Sequence, residues 1–280
     1  MKKNKQLLTI WLAVLWSVIL LAVLGGVTYA WFTFDPYTRV EPMSSTVGEA
    51  EITLLIAAKP TDEFLEECAL PQSTITGLRP VSTADLESFY RAYAQDRQGI
   101  SYTYADISEE AEEDMIHGVF YLKSMADNCN VYFYRAGMDF GEDAQLLAAL
   151  RLGLRFTTNT GVSTYIFSLD EMGNTEGALR LQTTARRDVV VSSVNVDGTA
   201  VYMDDPVRKM SRFMAVYDEE HPQLPGAGEN ALCTLQKEEI AAVEYWLYLE
   251  GCDENCVNEV QDREASLQLS FAGLKGVIIP

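Results

Sequence analysis

Two stretches near the C-terminus constrain the fold more than any other feature. Val243, Tyr245, Leu247 and Leu249 occupy every second position of one run, and Leu267, Leu269 and Phe271 do so in another, with Ser266, Gln268 and Ser270 between and beside them. A helix would scatter such residues around its circumference, whereas a strand gathers them on one face. A strand patterned this way buries one side against a second layer. Comparable β-branched and aromatic runs recur at Ile52–Ala57, Val119–Leu122, Val131–Tyr134, Arg151–Thr158, Thr164–Leu169 and Val189–Val196. Turn-formers separate them: Asp127-Asn128-Cys129-Asn130 between two runs, and Asp197-Gly198 before Thr199–Met203. The expectation is a mainly β protein, a jelly-roll-like antiparallel β-sandwich over residues 50–280. Regular β-α-β alternation and a glycine fingerprint are both missing, which argues against a nucleotide-binding sheet.

Three helical insertions are expected between the strands. Ser82 reads as an N-cap with Asp85 three residues on, and Leu86, Phe89, Tyr90, Tyr93 and Ala94 follow at helical spacing, giving a helix near 83–97. Ser108 and the acidic cluster Glu109–Asp114 read as a helix near 108–117, closed by His117 and Gly118. Ala144–Leu150 reads as the third. Trp246 falls out of phase with the Val243–Leu249 face. It is assigned to the opposite face of that strand, as core beneath a covering helix or, if that face is open, as a contact surface.

The N-terminus sets the compartment. Lys2, Lys3 and Lys5 precede an uncharged run from Gln6 to Phe34, whose apolar heart is Leu7–Leu24. This is one hydrophobic helix of minimal membrane-spanning length, oriented with its basic end inside. Thr28-Tyr29-Ala30 offers small residues where a signal peptidase reads, so residues 1–30 are read as an export signal cleaved between Ala30 and Trp31. A retained transmembrane anchor is the alternative. Residues 31–49 read as an extended, turn-rich segment. Freed by cleavage, Trp31, Phe32 and Phe34 would form an apolar donor strand for self-association.

The chain carries 41 acidic and 21 basic residues, a net charge of −20. Such a balance argues against nucleic acid as a partner, because phosphate backbones need clustered Lys and Arg. Five cysteines lie beyond the signal, and Cys252 and Cys256 are the nearest to form a local disulfide. The two histidines, His117 and His221, are far apart, and no second Cys/His pair completes a zinc site.

Three segments carry a resemblance. Val27-Thr28-Tyr29-Ala30-Trp31-Phe32-Thr33 resembles the TYAWF signature of Gram-positive exported proteins processed by a SipW-type signal peptidase. Ala148-Ala149-Leu150-Arg151-Leu152 resembles an ALRV strand entry of such chains. Tyr248-Leu249-Glu250-Gly251-Cys252-Asp253-Glu254-Asn255-Cys256 is similar to their WLEGxDPxC segment, with Tyr248 in place of Trp and Cys252 added. The resemblance is to the TasA/camelysin-like group. It implies a jelly-roll sandwich that assembles into extracellular matrix fibres at the cell surface, with the signal peptidase as processing partner. It carries no catalytic residues onto this chain.

Enzymatic chemistry finds little support in the residues. A metalloprotease would need HExxH, and nucleophilic catalysis an elbow such as GxSxG; neither occurs. A calcium loop is the best chemical candidate. Asp253, Asn255, Asn258 and Asp262, with Glu254 and Glu259 among them, place oxygen ligands close together. The spacing matches no EF-hand, and a polar loop between strands is the simpler reading. The sequence thus points to a non-enzymatic exported surface or matrix protein. Its alternative is a tethered ectodomain binding a ligand, calcium or a cell-wall component, and an extracellular hydrolase is remote.

Overall fold

A computed structural model describes residues 38–42, 54–66, 68–69, 78–95, 102–111, 114–135, 138, 140, 143–169, 189–215, 228–253, 255–256, 260 and 267–275. All belong to one compact unit, Pro36–Pro280. The export signal, the Ala30–Trp31 junction and the aromatics Trp31, Phe32 and Phe34 lie outside the described residues. Among the described residues no helix is long and apolar enough to cross a membrane.

The strands are β1 (Thr38–Pro42), β2 (Leu54–Ala57), β3 (Cys68–Ala69), β4 (Tyr90–Ala94), β5 (Tyr102–Asp106), β6 (Ile116–Ser124) and β7 (Cys129–Phe133). After helix α1 (Ala144–Ala149) come β8 (Leu150–Thr158), β9 (Gly161–Ser168), β10 (Val189–Val194), β11 (Ala200–Asp204) and β12 (Arg208–Lys209). A short 3-10 helix, Met210–Phe213, leads towards β13 (Cys233–Leu235), β14 (Ile240–Leu249) and β15 (Leu267–Lys275).

Two sheets share one core. The first has strand order β13-β7-β15-β1-β3 and the second β12-β9-β8-β14-β6-β2. Pairing is antiparallel except where β1 meets β15 and where β12 meets β9. The alternation in β14 does what its pattern requires. Val243, Tyr245, Leu247 and Leu249 are buried between the sheets, beside Phe120, Leu152, Leu154, Phe156, Leu269 and Phe271. Phe271 joins the two sheets, with ring centroids 5.6 Å from Phe120 and 6.4 Å from Phe156 across the gap. Edge contacts of this kind add to the burial that holds a sandwich closed. The mainly β reading therefore stands.

Two of the three expected helices do not form. Residues 83–88 instead make successive side-chain-closed turns. Thr83 Oγ1 accepts from the Leu86 amide at 3.0 Å, and Asp85 Oδ1 accepts from the amides of Glu87 and Ser88 at 2.8 Å each. Short polar side chains that satisfy nearby amides compete with the helix in this way. Tyr90–Ala94 then pairs with β5 as a hairpin, bringing Tyr90 opposite Asp106. In the second case Ser108–Glu110 form a turn, and His117 and Gly118 lie inside strand β6 rather than at a helix end. The third helix is present as α1, with Asp143 Oδ1 accepting from the Leu146 amide as its cap.

These turns and hairpins roof the outer face of the second sheet. Val81, Leu86, Phe89, Ile107, Ala111 and Met115 pack with Ile166, Trp246 and Tyr248 in a second core. Trp246 is core, as its phase indicated, but its cover is turns and hairpin rather than helix. Leu86 takes a left-handed backbone, φ 60°, and its methyls fill the space over Gly153, where an added Cβ would lie 2.6 Å from Leu86 Cδ2.

Candidate functional site

Strand β1 occupies an unusual slot. It runs parallel to β15, with Thr38 opposite Leu267 and Pro42 opposite Phe271, and antiparallel to β3. Strand β3 has two residues and reaches the sheet only through β1. Without β1, the whole leading half of β15 would present unpaired amides and carbonyls, the feature that recruits an added strand. The inward residues of β15 there, Leu269 and Phe271, are fully buried. β1 lies within the segment 31–49 that the sequence marked as extended.

The acidic loop after β14 is a clasp. Arg151 enters from β8 and is buried, and its Nη2 donates to Asp253 Oδ2 at 2.5 Å, with Asp205 Oδ2 at 3.6 Å. Its Nη1 also donates to the carbonyls of Ala148 and Leu150. Burial works against the guanidinium charge, but Asp253, Asp205 and Glu250 outweigh it and hold the arginine firmly protonated. Burial also lifts Asp205 above the usual carboxylate range, against the pull of Arg151. One cation thus ties together β8, the turn after β11 and the loop after β14.

Asp253 belongs to the loop expected to hold calcium. Its second oxygen, Oδ1, accepts from the Asn255 amide at 2.8 Å and from Asn255 Nδ2 at 2.9 Å. Both oxygens are therefore engaged in an Asx turn and an ion pair. Asn258 and Asp262, with Glu254 and Glu259, lie outside the described residues. Among the described residues no group of three or more His, Cys, Asp or Glu is arranged to hold a metal.

The expected Cys252–Cys256 bridge is not made; both are thiols outside any disulfide, as are Cys129 and Cys233. Their side chains serve different neighbours. Cys252 lies beside Tyr90 and Val191, and its Sγ donates to Ser82 Oγ at 3.6 Å. Cys256 packs against the main core. Burial, with Glu250 nearby, pushes the Cys252 thiol up to about 12 and Cys256 higher still. Neither is a thiolate near neutral pH, so neither is activated as a nucleophile.

Glu250 is the most perturbed carboxyl in this region. Burial raises it to about 8, against a bond from the Ser82 hydroxyl, the charge of Arg151 and the Cys252 amide, which donates to Oε1 at 3.1 Å. Its Oε2 and the Tyr248 hydroxyl have no hydrogen-bond partner among the described residues. Glu250 is 1% exposed, so its carboxyl is closed off from solvent. The cluster is a structural joint.

One feature escaped the sequence reading. Val207, Arg208, Lys209, Arg212, Phe213 and Asn230 line a cavity of about 310 Å3. The stretch Arg208-Lys209-Met210-Ser211-Arg212 sets three cations within five positions of a chain whose net charge is −20, and that density was the available signal. Comparison with protein-family models, with curated proteins and with solved structures returns no match.

Proposed function

We propose that this chain is a non-enzymatic exported protein of the cell surface or extracellular matrix, a jelly-roll-like sandwich that self-assembles by strand addition. The observation that carries the reading is the placement of β1. It is an N-terminal strand lying parallel in an otherwise antiparallel sheet, held between β15 and the two-residue β3. A strand held in this way is replaceable by the same segment of another copy, because main-chain hydrogen bonds supply most of the affinity. The uncharged run before it supports export, and the resemblance of Val27-Thr28-Tyr29-Ala30-Trp31-Phe32-Thr33 to the TYAWF signature supports processing by a SipW-type peptidase. Cleavage after Ala30 would place the aromatic Trp31, Phe32 and Phe34 directly ahead of the strand.

The test compares the processed chain with a form lacking residues 31–42, by sedimentation and electron microscopy. Multimers or fibres are expected from the first and monomers from the second. Multimers that persist unchanged without residues 31–42 overturn the reading. The N-terminus of the native protein, read by mass spectrometry, provides the second check. A chain beginning at Trp31 agrees with the proposal, and a chain retaining Leu7–Leu24 in the membrane means a tethered ectodomain instead.

A further inference from the structure

We propose that the outer edge of β9, over Gly161–Tyr165, pairs antiparallel with the same edge of a second copy, so that the six-stranded sheet continues across a two-fold axis. This contact is separate from strand addition through β1 and does not depend on it. The other edges of the two large sheets are short or covered. β3 has two residues and β13 three. β2 has four, and Leu65 exchanges both backbone bonds with Ile56 there, at 2.7 and 2.9 Å. β9 has eight residues, and β12 covers only Phe167 and Ser168. Among the described residues no strand lies beyond the rest of it. Alternate residues of Gly161–Tyr165 therefore turn amides and carbonyls outward without a ladder partner, the condition that invites another strand.

The edge carries none of the usual protection. Between Arg155 and Asp170 there is no charged residue and no proline, and Val162 and Thr164 are β-branched. Both are exposed on one face of the strand, Val162 at 61%. A side chain built on Gly161 would meet nothing within 4 Å, so the start of the edge is open. The hairpin behind it is fixed. The Asn159 amide donates to Glu239 Oε1 at 2.7 Å at its tip, and the Tyr165 hydroxyl donates to the Leu232 carbonyl at 3.0 Å. Charge selects the occupant. Two copies carrying −20 each repel wherever their acidic surfaces meet, whereas two-fold pairing sets one uncharged stretch against its equal. A charged foreign partner would find no counter-charge on this edge. The ladder is short and buries less than about 1,000 Å2, so the pairing is weak and leaves dilute chains monomeric through this edge.

The test follows hydrogen exchange in the processed chain at about 5 μM and about 500 μM. A peptide covering residues 159–168 reports the edge, and one covering 240–249 reports the fold. Exchange of the fast amides in the first peptide is expected to slow about fivefold or more at the higher concentration, with the second unchanged. Val162→Lys/Thr164→Lys should abolish the slowing, and so should Val162→Glu/Thr164→Glu, because like charges would face each other across the axis. An equimolar mixture of the two variants should regain it, which a folding defect in either could not produce. Loss of strand exchange through β1 would register at residues 38–42 and leave this readout intact. Exchange at 159–168 that is the same at both concentrations in the parent, or no slower in the mixture than in either variant alone, overturns the proposal.

Discussion

Gly118 and Tyr245 are register partners on β6 and β14, and the tyrosine ring occupies the space a side chain at 118 would need. A Cβ built on Gly118 would lie 2.6 Å from Tyr245 Cζ. The glycine is there for room: Tyr245 is 1% exposed and packs against Phe120 at 6.1 Å. Gly118→Ala is expected to destabilise the fold by about 1–3 kcal/mol through overpacking. Replacing Tyr245 by Leu as well should restore part of that loss. Urea denaturation of the two single variants and the double gives the coupling. Strict additivity would mean that the two side chains do not compete for this space.

Arg151 makes a second prediction. Removing the cation leaves Asp253 and Asp205 facing each other without compensation, so Arg151→Met is expected to cost about 3–5 kcal/mol. The double variant Arg151→Met/Asp253→Asn should cost less than Arg151→Met alone, because one of the stranded charges is gone. Equilibrium denaturation at pH 7 tests the ordering. A double variant less stable than the single would show that the clasp is not electrostatic.

The buried Glu250 ties stability to pH. Its folded-state value, about 8, lies above the usual 4.5, so the folded chain binds its proton more tightly than the unfolded one. The sign follows: this contribution is fully present below about pH 4.5 and is lost as pH rises through about 8. The loss is on the order of 4 kcal/mol across that window. Asp205, also raised, acts in the same direction. Glu250→Gln, which carries no titrating proton, should flatten the profile between pH 5 and pH 9. Thermal unfolding of parent and variant over this range measures it, and parallel profiles would remove Glu250 as the cause.

Thiol accessibility provides a separate check on the cysteines. Cys129, Cys233 and Cys252 are buried and Cys256 is half-buried, all as thiols outside any disulfide. These four should react slowly with a thiol reagent in the folded chain and rapidly once it is denatured. Peptide mapping after alkylation under denaturing conditions, without reductant, should find all four modified. An unmodified Cys252–Cys256 pair would mean the bridge forms after all.

Much of the sandwich was legible because period two reports both faces of a strand. Val243, Tyr245, Leu247 and Leu249 locate the main core, and the phase of Trp246 locates the second one outside it. The roof over that second face was misread for a definite reason. Leu86, Phe89 and Tyr90 are all buried, so their spacing imitates a helix, but they come from turns closed by Thr83 and Asp85 and from the start of a hairpin. Gly118 looked like a cap because sequence cannot show a ring packed over it. Nor could it show the clasp, since Arg151, Asp205 and Asp253 meet only through tertiary folding. The cations at 208–212 were visible as charge density, but the cavity they share depends on Asn230, which joins them from the loop before β13.

The β1 slot yields the sharpest prediction about assembly. A chain beginning at residue 50 lacks β1 and leaves β15 open along Leu267–Phe271. Losing this five-residue ladder is expected to cost about 3 kcal/mol, lowering Tm by roughly 6–12 °C. A synthetic peptide spanning residues 31–45, added in excess, should bind the truncated chain and recover most of that Tm. The same peptide with Val40→Pro removes a backbone donor from the middle of the strand and should fail to do so. Recovery by the first peptide and not by the second would establish that the edge accepts a strand supplied in trans, which assembly by strand addition requires. Equal effects of the two peptides, or none from either, would leave β15 without a receptor role.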